Sequence, residues 1–374
     1  MKRFLLIFTI LVAAMTAGLA AVNVQEIDKG NGVTHLQVRN EYFNMEFAPE
    51  KGAQALSFKT CYSPNDWVFG GGYGFFLDHF VGHNWPGELV TNKYTTKFLE
   101  RTPEKVTLEF QTVTTDSIAV YRRMTFAANS PVIKVTFGMR NQGTQSVVRG
   151  LWPQWLMYVS GVKENNKYFR PDSHGVNESG WQEKTKFMGG EDYVRTPYEG
   201  WTAALNTRTQ EGLVWVLDYH WLKWLYNCNS AWTIEWFDDY VPLPKDGKWE
   251  TEYNMVLVKG FPSICHASSN LMASMTMVPQ GDQLAITHTL GRSYAGEVKD
   301  VKITAKLRGV DSKESYDLPQ LTFGTLTWEP KQQVHTLKVK MDQRLVCDVL
   351  LTGASADGKP LRETYSYYWP GTTG

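Results

Sequence analysis

The chain has 374 residues, with 38 lysines and arginines balanced by 38 aspartates and glutamates, so its formal net charge is zero. That balance lacks the basic footprint of a nucleic-acid binder, and nucleic acid is excluded as a partner. Aromatic residues make up 13% and include 14 tryptophans; most of these are expected to fill a β-sandwich core, while flat ring faces of this kind also stack on the C–H surfaces of sugars.

In chain order, residues 1–20 read as a secretory signal: Lys2 and Arg3 are the positive start, Phe4 to Ala17 the apolar core, and Gly18-Leu-Ala20 a small-residue cleavage site. A secreted or periplasmic location follows, with no membrane anchor after cleavage, because no later stretch is long and apolar enough to span a bilayer. Export permits disulfides. Cys61, Cys228, Cys265 and Cys347 are widely spaced and form no CxxC pair. Either Cys228 and Cys265 are bridged or all four are buried thiols.

From Val33 to Pro279 the chain is a succession of short strands, including Thr34–Val38, Phe43–Ala48, Lys105–Thr114, Ser117–Phe126, Val132–Arg140, Gly150–Val159, Trp201–Asn206 and Gly212–Leu217. Period-two alternation is plain in Val132-Ile-Lys-Val-Thr-Phe137, and no long helical period appears. The expected class is all-β, a large antiparallel sandwich. Two irregular stretches break the rhythm. Gly70 to Pro86 is glycine-rich and then polar-aromatic, carrying Asp78, His79, His83 and Trp85. The four-residue spacing of the two histidines fixes no third ligand, so no metal is expected. Gly161 to Gly200 reads as a long surface excursion. Between them, Arg122 and Arg123 sit side by side on a strand and must point to opposite faces.

Six of the tryptophans fall between Trp215 and Trp249. Glu235 lies in the same stretch, flanked by Ile234 and Trp236. Strand alternation sends Glu235 to the face opposite its two neighbours. If they enter the core, the carboxylate floors a cleft. From Gly281 the strands become evenly spaced, at Leu284–Leu290, Val298–Arg308, Leu318–Trp328, Gln333–Lys340 and Leu345–Leu351, with a tight turn at Ala356-Asp-Gly-Lys359. Residues 21–280 are therefore expected as one domain and residues 281–374 as a smaller immunoglobulin- or fibronectin-like sandwich that buttresses it.

The run Thr233-Ile-Glu-Trp236, followed by Leu243-Pro-Lys-Asp-Gly-Lys-Trp249 and Thr251-Glu-Tyr253, resembles the end of a galactose-mutarotase-like (aldose 1-epimerase-like) domain. Tyr42 to Gly52 resembles that family's first hairpin. The resemblance covers roughly Val33 to Pro279 and implies a mutarotase-like β-supersandwich with Glu235 as general base. By rough position it also implies that Asp78, His79 and His83 reach the sugar from an early loop. The family's Asn-His-x-Tyr-Phe signature, which supplies the acid histidine, has no match here. Leu151-Trp-Pro-Gln-Trp-Leu-Met-Tyr158 holds that position without a histidine.

Opening an aldose ring needs a base for the anomeric hydroxyl proton and an acid for the ring oxygen. Glu235 is the expected base, and His79, His83 or His220 the acid. The expected substrate contacts are Asp78, Trp85, Arg122, Trp152, Gln154, Trp155, Tyr219, His220, Trp221 and Trp236. No nucleotide fingerprint, phosphate loop or Ser-His-Asp order is present, and no cofactor is expected. Three readings stay open: an epimerase-type isomerase, a lyase or hydrolase in which Arg122, His83 and Tyr219 handle a uronate, and a non-catalytic glycan binder. In each, the partner is a sugar or polysaccharide.

Overall fold

The structure is a computed structural model that describes residues 21–173, 175–180, 191–228 and 231–372; the expected leader, residues 1–20, lies outside the described residues. Alternation of side chains dictates the architecture from the start. In Ile118–Ala127 every second residue (Ile118, Val120, Arg122, Met124, Phe126) is buried, and those between are partly exposed. This strand lies in a nine-stranded antiparallel sheet. The inner face of that sheet packs on a four-stranded N-terminal sheet and on a five-stranded sheet. In spatial order the five strands are Glu191–Val194, Leu222–Cys228, Thr233–Asp238, Leu151–Leu156 and Leu77–Phe80, all antiparallel. The chain is all-β and antiparallel, as its periodicity indicates.

The core between these sheets is aromatic. Trp155 stacks on Trp236 with ring centroids 4.4 Å apart, and both meet Tyr253 edge-on. Each such ring removed from water contributes about 1.5–3 kcal/mol. Glycine matters here at one close approach. A Cβ on Gly74 would fall 2.0 Å from the carbonyl oxygen of Ala55, so only a glycine lets the chain pass there on its way into the Leu77–Phe80 strand.

The C-terminal body consists of two four-stranded antiparallel sheets around a separate core. The expected boundary at residues 280/281 is corrected. Leu271–Gln280 pairs along its whole length with Gln283–Arg292, so Gly281, with φ +64°, is the turn of a hairpin inside one sheet. Sheet pairing starts the second body at His266–Ala267. The two bodies join through an apolar interface, with Phe169, Trp201, Val214, Val256 and Val258 on one side, Ala267 and Met272 on the other, and Phe261 and Ile264 of the connecting segment packed among them.

Two further expectations change. The stretch from Gly161 to Gly200 is not a loop throughout, because it holds Asn166–Asp172 and Gly175–Gly180 at one margin of the large sheet and Glu191–Val194 at the edge of the five-stranded one. Edge strands tolerate the polar composition that reads as loop. Cys228 and Cys265 are not bridged. All four cysteines are free thiols, Cys265 and Cys347 sit in the C-terminal core, and Cys61 is exposed.

Candidate functional site

Ile234 and Trp236 point into the core, so Thr233, Glu235 and Phe237 are turned to the opposite face of the five-stranded sheet. Pairing aligns these residues with neighbours on the adjacent strands. Gln154 lies opposite Glu235, as does Tyr226 on the other side, and Tyr193 lies opposite Tyr226. One row across the strands is therefore Gln154, Glu235, Tyr226 and Tyr193. The row beside it begins at His79, opposite Trp152, and ends with Phe237 opposite Trp224. Trp152 and Phe237 close the gap between those pairs by stacking, with centroids 4.7 Å apart. That face thus carries an aromatic ladder alongside a polar row, and most of it is buried: Gln154, Glu235, Tyr226 and Phe237 are each 5% exposed or less, while Trp85 and Tyr193 are exposed.

Glu235 is 3% exposed. One carboxylate oxygen accepts the indole N–H of Trp152 at 2.5 Å, and the other accepts the hydroxyl of Thr233. Charge-assisted bonds of this kind fix a carboxylate's orientation. The side-chain amide of Gln154, 4% exposed, makes no hydrogen bond among the described residues and is the uncommitted donor and acceptor beside it.

His79 shares this face. Its ring lies 5.1 Å from that of Trp152 and stacks on Trp85 at 5.7 Å with an interplanar angle of 10°. Its Nδ1 faces the carbonyl oxygen of Phe80 at 2.7 Å, and its Nε2 faces that of Asn84 at 3.1 Å. Burial pushes its pKa below the ordinary value, while those two carbonyls pull the other way. A neutral imidazole has one N–H, so any proton His79 carries is held by the backbone rather than offered to the cleft.

The structure separates the remaining candidates. Glu235, His79, Trp85, Trp152 and Gln154 come together. Arg122 and Asp78 do not join them, which corrects their expected role as sugar contacts. They form a fully buried ion pair at 2.6 Å between the sheets. The Arg122 guanidinium also donates to the carbonyls of Phe76, at 2.9 Å, and of Gly52 and Ala53. Asp78 feels burial more than pairing, and its carboxyl is pushed up from the ordinary range. Trp155 and Trp236 are likewise core residues, because alternation from Glu235 and Gln154 turns them inward. His83 is exposed in the bend after the Leu77–Phe80 strand and packs edge-on to Phe80 at 5.5 Å. Tyr219 and His220 occupy an exposed turn, where the Tyr219 hydroxyl donates to the Pro197 carbonyl at 2.9 Å. Trp221 packs on Trp249 at 5.6 Å, outside the face. With Arg122 buried and His83 and Tyr219 on separate surfaces, the uronate-handling trio does not assemble.

Four residues of the face, Thr233, Phe237, Tyr226 and Tyr193, are not among those singled out from the sequence. Thr233 and Phe237 were reachable, being two positions from Glu235. Tyr226 and Tyr193 depend on which strands pair. The larger hollows among the described residues lie elsewhere, about 840 Å³ over the outer side of the nine-stranded sheet and about 870 Å³ between the two bodies. Neither has a carboxylate set among stacked rings, and chemistry rather than volume selects the Glu235 face.

The fold and the face define an all-β protein with a buried carboxylate set among stacked aromatic rings. No family model matches the sequence, and no curated protein matches it. Similar solved structures include a galactose mutarotase-like protein from Clostridium acetobutylicum, 9% identical, covering 64% of this chain and 99% of that one with a TM-score of 0.49. A TPR-domain containing protein from Parabacteroides distasonis is 8% identical over 63% of this chain and 48% of that one, with a TM-score of 0.49. A galactose mutarotase-like protein from Lactobacillus casei is 10% identical over 60% and 99%, with a TM-score of 0.41.

Proposed function

We propose that this is an exported carbohydrate-binding protein whose larger body is a galactose-mutarotase-like domain, and that sugar binds at the face of the five-stranded sheet that carries Glu235. The observation that carries the reading is the setting of Glu235. It is a strand carboxylate held by Trp152 and Thr233, among aromatic rings and beside the uncommitted amide of Gln154. Acceptors and donors next to ring faces match a pyranose, which presents hydroxyls at its rim and C–H bonds on its faces. The leader-like residues 1–20 support export. The C-terminal body supports the first through the Trp201 interface.

A second reading, an aldose 1-epimerase-type isomerase, is favoured by the match of Thr233-Ile-Glu-Trp236 to that family's base strand. Glu235 then removes the anomeric proton. The acid is a different matter, because both ring nitrogens of His79 face backbone carbonyls. Binding without turnover is therefore the primary conclusion.

Glu235→Gln tests both readings. It keeps the shape and removes the proton acceptor. Calorimetric titration with galactose and glucose, alongside polarimetry of freshly dissolved α-anomers, separates them. A binder loses affinity and shows no catalysed mutarotation before or after the change. An isomerase keeps affinity and loses turnover on the order of 10²-fold or more. If sugar affinity and mutarotation are both unaltered by Glu235→Gln, the carboxylate is structural and the proposal fails.

A further inference from the structure

We infer that the uncovered part of the outer side of the nine-stranded sheet is a separate binding surface for an acidic polysaccharide, one whose sugar units carry carboxylates. Tyr121 is its stacking platform, and Lys93, Arg140 and Lys248 supply its charge. The inference goes beyond the Glu235 site and does not rest on it. The outer side of the sheet is divided along a single strand. In Lys248–Lys259, Val256 and Val258 belong to the junction with the C-terminal body, whereas Lys248 and Glu250, which alternation puts on the same side, are exposed. That exposed part borders the hollow of about 840 Å³.

Tyr121 lies across the floor of the hollow. Pairing sets it opposite Gly138, and Gly138 opposite Glu250. A Cβ at Gly138 would fall 2.2 Å from the Tyr121 ring, so the ring fills the space that any other side chain would take there. It crosses the strand Val132–Asn141, and its hydroxyl donates to Glu250 beyond it. Glycine thus takes one side of the ring, and the residue stays partly exposed in the hollow. Arg123, held by Glu109 at 2.8 Å, keeps a guanidinium 5.3 Å from the ring centroid. The ring is anchored before any ligand arrives, so stacking on it costs little ordering entropy.

Charge selects the class of sugar. The lining holds four cations, Lys93, Arg123, Arg140 and Lys248, against two carboxylates, Glu109 and Glu250, in a chain whose net charge is zero. Glu109 is engaged by Arg123, and Glu250 by the Tyr121 hydroxyl. Arg140 and Lys248 stand directly opposite each other on adjacent strands, and like charges so placed repel. Arg140 reaches Asp246 at 3.2 Å, but both side chains are about half exposed, and a solvated pair of that kind holds little energy. Lys93 and Lys248 have no ion pair among the described residues. A ligand carboxylate between Arg140 and Lys248 relieves their repulsion. These two are two positions along their strands from Gly138 and Glu250, about 7 Å, within reach of a carboxylate on the sugar over Tyr121 or on the next one.

The test is affinity electrophoresis of the mature full chain in native gels that carry one soluble polymer at a time: polygalacturonate, alginate or hyaluronate, with dextran and polyglutamate for comparison. Retardation by at least one of the three acidic polysaccharides is expected, and none by dextran or polyglutamate. Tyr121→Ala should weaken the interaction about tenfold, and Tyr121→Phe should keep most of it. The double variant Lys93→Ala/Lys248→Ala should lower affinity and flatten its dependence on salt. Both lysines are exposed, so that variant keeps the fold even if Tyr121→Ala does not. Absence of retardation by all three acidic polysaccharides overturns the inference, as does equal retardation by dextran or by polyglutamate. Retardation that survives both Tyr121→Ala and the double lysine change also overturns it; if Glu235→Gln then removes it, the polymer sits at the Glu235 face instead.

Discussion

His266 is the place where pH should reach the junction of the two bodies. Its ring is buried between two carboxylates. Nδ1 lies 2.9 Å from Glu199, which belongs to the first body, and Nε2 lies 2.8 Å from Glu363 on the last strand of the second. Glu199 also accepts the indole N–H of Trp201 at 2.5 Å, and Glu363 accepts bonds from Ser268 and Asn270 at 3.0 and 2.9 Å. The imidazole stacks on Tyr365 at 5.6 Å. Burial by itself pushes a histidine's pKa down. Here the two carboxylates outweigh it and hold the group at about 9 against an ordinary 6.5. The folded-state pKa is raised, so the stabilisation is complete below pH about 6.5 and is lost as pH rises through about 9. A shift of that size corresponds to about 3 kcal/mol. Above it, one N–H donor is gone and two carboxylates face each other across a neutral ring. Urea unfolding of the wild type and of His266→Gln, followed by tryptophan fluorescence at intervals from pH 6 to pH 10, measures the effect. The wild type should lose about 3 kcal/mol more than the variant across that window. Parallel pH profiles for the two proteins would refute the argument.

Two further outcomes follow from buried groups. Arg122→Met leaves Asp78 and three backbone carbonyls without their donor in a dry interior and should cost about 3–5 kcal/mol, seen as a lower Tm, with sugar affinity retained at temperatures where the variant is folded; a specific loss of sugar binding at full stability would return Arg122 to the site. In the native protein a thiol reagent should modify Cys61 readily, while Cys265 and Cys347, whose thiols burial pushes up (Cys347 to about 12), should react only on unfolding; rapid modification of all four thiols before unfolding would contradict the packing of the C-terminal core.

The sequence by itself determined everything that depends on neighbours along one strand. Alternation made the chain all-β, sent Glu235 to the face opposite Ile234 and Trp236, and required Arg122 and Arg123 to diverge. It left undetermined which direction was inward, since a period of two is symmetric between its faces. Arg122, read as a sugar contact, is the one that went in, because Asp78 and the carbonyls of Phe76, Gly52 and Ala53 satisfy a guanidinium that water no longer reaches. Trp155 reads like Trp152 in sequence, yet three positions on a strand separate the core from the face that carries Glu235. Boundaries were equally a matter of pairing. The change of rhythm at Gly281 was real, but it marks a hairpin turn, since Leu271–Gln280 hydrogen-bonds to the strand that follows it. Only tertiary structure set Tyr193 beside Tyr226, or Glu199 beside His266 and Glu363. These contacts join residues 33, 67 and 97 positions apart, and lateral strand order and the docking of separate bodies are fixed by complementary surfaces meeting in space, not by any local period.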